Sequence, residues 1–201
     1  MSEAVERLKT IGDEVRRLYW KEKNLPGALR AAREGIDHGE AAAAQEPDRA
    51  EEILGLVKGL FYDTASFSWV GWDEPGITPT DEEGARGYEA ARKNLDYAIQ
   101  LKKPDLPRGR AHWMLASHAL TAGNHDEALE HYREATKFAR SAGADGEAEL
   151  GRGFEMLTQV KQGVVDPSTL QTHVEAMNAD EQTKPFTSQI SACAKVIGVV
   201  L

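Results

Sequence analysis

The sequence predicts an all-α protein: an α-α superhelix of about four helical hairpins closed by a C-terminal helix, in one domain over residues 1–201. Three observations predict it. Alanine, glutamate and leucine are abundant, while β-branched residues cluster only near the end, a bias toward helix. Apolar residues recur three or four positions apart along most of the chain. Breaks bearing Pro, Gly or Asn then divide it into segments of hairpin length.

Val5, Leu8, Ile11, Val15, Leu18 and Tyr19 mark one face of a first helix, with Ser2 as its cap. It stops near Asn24, because Pro26 suits the first turn of a new helix. Ala28, Leu29, Ala32 and Ile36 continue the second helix, and the pair spans about 2–45. After Pro47-Asp48, Ile53, Leu54, Val57, Leu60 and Phe61 predict a helix to about Trp69. Residues 71–80 hold two prolines and two glycines, which excludes regular helix there. Thr80 or Asp81 caps a helix running to about Leu101, completing a hairpin over about 48–103. The third hairpin is about 108–142, with Gly123 ending its first helix and Asn124 capping its second. The fourth is about 144–178, its second helix opened by Asp166-Pro167. Pro185 opens the closing helix, 185–201, with Phe186, Ile190, Cys193, Ala194 and Ile197 on one face.

The third hairpin carries a more specific pattern. Leu115, Ala116, Ala119, Gly123, Ala128, Tyr132 and Ala135 alternate small and large residues where two helices must touch. In order and spacing this resembles a tetratricopeptide repeat, best matched over residues 109–142, although His112 holds the usual tryptophan place and Arg140 the usual proline place. Leu150, Gly151 and Phe154 repeat Leu115, Ala116 and Ala119 at an offset of 35, and Asn24–Glu34 echoes Asn124–Glu134 at an offset of 100. The resemblance implies a non-enzymatic module that binds a peptide or protein segment in a groove lined by the first helix of each pair. By resemblance the groove positions are Arg110, Trp113, Ser117 and Leu120 in the best unit. In the first unit they are Thr10, Asp13, Arg17 and Trp20.

Charge and chemistry narrow the function classes. A net charge of −9 argues against nucleic acid or an anionic membrane as partner. No apolar run approaches bilayer length, the first residues lack a signal-peptide core, and one cysteine fits a reducing compartment. The expected location is cytoplasmic. No G-x-S-x-G, P-loop or C-x-x-C occurs, so no catalytic residue and no cofactor is assigned. His112, His118, His125 and His131 are spaced by six within each helix, which defeats a shared metal-binding face; they read as surface residues and no metal is expected. The carboxylate runs Glu51-Glu52 and Asp81-Glu82-Glu83 suit helix starts. The aromatic loop 67–80 offers the alternative reading. Trp69, Trp72 and Asp73 would line a small-molecule pocket in a sensor or an enzyme without recognisable motifs, or else plug the fold. The apolar end of the closing helix allows a homodimer.

Overall fold

The structure, a computed structural model, describes residues 2–201. Among these it contains nine α-helices and two 3-10 turns, with no strand. Consecutive helices pack in pairs. The contacts group into two compact units: one running to Trp69 and resuming over Pro75–Lys103, the other formed by Val70–Glu74 with Pro104–Leu201.

The first unit holds α1 (Glu3–Trp20), α2 (Leu25–Gln45), α3 (Ala50–Phe67) and α4 (Asp81–Gln100). Each packs on the next, and α3 also returns onto α1. The starts follow local chemistry. Asn24 accepts from the Gly27 N–H with Pro26 in the first turn. Thr80 and Glu83 form a reciprocal capping box, each satisfying an amide that the helix leaves open. Ser2 stands at the N-cap of α1 without a side-chain capping bond. Acidic residues occupy the first turns of α3 and α4, as the helix dipole favours. The core joins Val5, Leu8, Val15 and Tyr19 of α1 to Ala28, Ala32 and Ile36 of α2 and to Ile53, Val57, Leu60 and Phe67 of α3. The approach of α2 is close: a Cβ on Gly35 would lie 2.7 Å from Leu60 and one on Gly39 2.3 Å from Val57.

The second unit holds α5 (Asp105–Thr121), α6 (His125–Ser141), α7 (Asp145–Lys161), α8 (Pro167–Asn178) and α9 (Lys184–Val196). The pairs α5–α6, α6–α7 and α7–α8 pack in sequence, and α9 closes on α7 and α8. Gly123 turns the chain between α5 and α6 at φ +80°, a backbone state glycine adopts without strain. Asn124 stands at the following N-cap, but its side chain makes no capping bond. Asp166 does cap α8, accepting from the Ser168 N–H at 2.8 Å. Leu115, Ala116, Ala119, Ala128, Tyr132 and Ala135 are all buried. The small residues let α5 and α6 approach, and Tyr132 and Phe154 fill the space between α6 and α7 with ring centroids 5.3 Å apart. The last residues do not continue this core: Val200 is 85% exposed.

Candidate functional site

The sequence-derived positions fall into three groups. Trp113, Ser117 and Leu120 are buried. The reason is local packing. Trp113 sits edge-on to Phe154 at 5.2 Å and beside Trp72 at 5.7 Å. Ser117 donates to the Trp113 carbonyl and accepts from the Tyr132 hydroxyl. Arg110 is exposed and held by a two-pronged ion pair with Glu147 at 2.6 and 3.0 Å.

In the first unit Arg17 is exposed and bonded to Glu22. Trp20 is 55% exposed, resting edge-on against Tyr19 and Phe67. The aromatic loop divides. Trp69 is buried. Within the second unit the turn Val70–Trp72 packs on α9 and α5, so Trp72 acts as a packing element. Asp73 adopts a left-handed φ of 49° and receives Lys195 of α9 at 2.5 Å. That exposed ion pair links the turn to α9.

The histidines correct the sequence reading. His112 and His118 are buried, not on the surface. His112 on α5 meets His131 on α6, Nδ1 to Nδ1 at 3.1 Å, a pairing that spacing within one helix does not disclose. Among the described residues no cluster of three His, Cys, Asp or Glu groups could hold a metal. Burial, then the neighbouring His131, pushes His112 down to about 4. The folded ring therefore binds fewer protons than an unfolded one between pH 6.5 and 4, so its stabilising effect is complete at neutral pH and lost as pH falls through that window. We expect roughly 1–2 kcal/mol of acid-dependent loss from this ring, reduced for the water that still reaches it. Chemical denaturation of the wild type and His112→Gln from pH 7 to pH 4 isolates it: the variant should show the shallower pH dependence. Cys193, buried on α9, is pushed up to about 12 by burial, as an inert structural thiol is.

Two concave sites lie within the first unit. One runs between α1 and α3, the first helices of the two hairpins, with a volume of about 360 Å³. Leu8, Leu56 and Leu60 give it an apolar floor. Gly55 and Gly59 leave the α3 wall without side chains, whereas Gly12 on α1 is buried beneath the Arg16 guanidinium. A Cβ on Gly59 would meet nothing within 4 Å. Arg16 bridges the helices, holding Asp13 at 2.8 Å and Asp63 at 3.1 Å. Burial raises the Asp63 carboxyl and Arg16 pulls it back; the bond Arg16 donates to Asp13, above all, lifts the guanidinium above its ordinary value. The α1 stripe on this groove is Lys9, Gly12, Asp13 and Arg16. It shares Asp13 with the expected set and is turned by one residue from Arg17 and Trp20.

The second site, about 630 Å³, lies between α2 and α4 over Phe61 and Thr64 of α3. Leu29, Ile36, Ala85 and Ala90 make it mainly apolar, and the Tyr97 hydroxyl donates to Glu40 at 2.7 Å. Sequence reasoning missed both sites. The Gly55-x-x-x-Gly59 spacing was a usable signal for a bared helix face. The Arg16–Asp63 pair, 47 residues apart, carried none.

No helix among the described residues is long and apolar enough to cross a membrane. Comparisons with protein-family models, with curated proteins and with solved structures found no match to this chain.

Proposed function

We propose that this chain is a non-enzymatic interaction module of the tetratricopeptide type that binds an extended segment of a partner protein between α1 and α3. The observation that carries the reading is the groove itself, which lies between the first helices of two successive hairpins. Side-chain-free Gly55 and Gly59 on its α3 wall would let a ligand's main chain approach closely, while its leucine floor and charged bridge offer both apolar and polar contacts. The acidic net charge favours a protein partner over nucleic acid. With the one thiol buried, a cytoplasmic setting fits.

The test is selection of displayed octapeptides on the full chain, followed by binding to Gly59→Leu. Leucine adds bulk to the groove at an exposed helical site and should leave stability equal or higher, since glycine is a poor helix former. We expect peptides to be enriched and to lose at least tenfold in affinity on the variant. An empty selection, or peptides that ignore Gly59→Leu, would overturn the reading.

A second reading rests on the α2–α4 site, whose volume falls in the range of small-molecule pockets. An apolar ligand there would raise the melting temperature of the wild type and lose that effect in Ala85→Trp. It replaces the aromatic loop as the place to look for a small molecule.

A further inference from the structure

The two ends of the α1–α3 groove differ in charge. At the Asp63 end, one guanidinium serves two carboxylates: Arg16 holds both Asp13 and Asp63, leaving one negative charge without a partner. The Asp13 side chain is 81% exposed and the Asp63 side chain 16%, so the Asp63 share of that charge is desolvated, where an added cation is worth more than at a wet surface.

At the Gly55 end the balance reverses. The Lys103 ammonium lies 3.4 Å from where a Cβ on Gly55 would stand. Lys58, outside the groove on the α4 side of α3, lies close enough to Lys103 to be depressed by it after burial, so the positive charge there is not offset by a neighbouring acid. Neither lysine makes an ion pair or hydrogen bond through its side chain among the described residues. Lys9 is nearby but already has Glu6 at 3.7 Å. Gly55 and Asp63 are eight positions apart on α3, about 12 Å at the helical rise.

Resting on the groove reading above, we propose that the partner segment carries one acidic and one basic residue three or four positions apart, the acid reaching Lys103 and the base reaching Asp63 and Asp13. The spacing follows from the 12 Å separation and an advance of about 3.3 Å per residue in an extended chain. A helical ligand would need its two charges about eight residues apart to span the same distance.

The experiment uses labelled, end-blocked octapeptides on a Gly/Ala/Leu background, binding to the full chain. The series holds Glu and Lys with two or three residues between them, in both orders, and a Gln/Gln control. One order should bind at least tenfold tighter than the control, and 0.5 M NaCl should remove most of that margin. Asp63→Asn and Lys103→Gln should each reduce it at least fivefold, with Asp63→Glu restoring it. Melting temperatures of the variants separate lost binding from lost folding. If Gln/Gln binds as tightly as the charged peptides and is lost on Gly59→Leu, this inference falls and the groove reading stands. If no charged peptide binds better than the control, or the margin survives both substitutions, the inference is overturned; the display selection decides the groove reading separately.

Discussion

Phe154→Ala is expected to destabilise the second unit by about 3–5 kcal/mol, the cost of emptying a fully buried aromatic site. The ring has no exposed surface. Its neighbours cannot close over the gap, because Trp113 meets its edge at 5.2 Å and Tyr132 lies tilted at 5.3 Å, each fixed by other contacts. Tyr132 donates to Ser117, and Trp113 is flanked by Trp72. The loss is a large share of the 5–15 kcal/mol that holds an ordinary domain together. Denaturant unfolding followed by near-ultraviolet circular dichroism checks it. A loss below about 1 kcal/mol would contradict the packing of α5, α6 and α7 described above.

Gly39→Val should destabilise the first unit by about 3 kcal/mol, at the upper end of overpacking effects. The added Cβ alone would stand 2.3 Å from the Val57 Cγ2 and 3.2 Å from both Leu8 methyls. Val57 and Leu8 are themselves buried, so relief requires α2 to move away from α1 and α3 together. Gly59→Ala, on the open face of α3, is the matched control and should be neutral or stabilising by about 0.5–1 kcal/mol. Equal effects at the two glycines, read from thermal melts, would mean that α2 does not pack where described.

The elements were legible in the sequence because their signals are local. Period-three-and-four apolar spacing set the helices, and Pro26, Thr80, Gly123 and Asp166-Pro167 marked starts and stops that the structure keeps. The side of each helix was harder to read. Trp113, Ser117 and Leu120 were expected to face a groove, yet every position of α5 from Ala111 to Leu120 is buried. A helix buried on all faces has no amphipathic stripe to reveal its orientation. The candidate site was least legible. It is made by what is missing at Gly55 and Gly59 and by an ion pair between residues 47 positions apart. The His112–His131 contact was hidden for the same reason, since within-helix spacing says nothing about pairs formed between helices.

Amide hydrogen exchange on the full chain, with and without a display-selected octapeptide, tests the groove most directly. We expect added protection concentrated in residues 8–16 of α1 and 55–63 of α3. Protection confined to α2 and α4, or to the 70–74 turn, would contradict it.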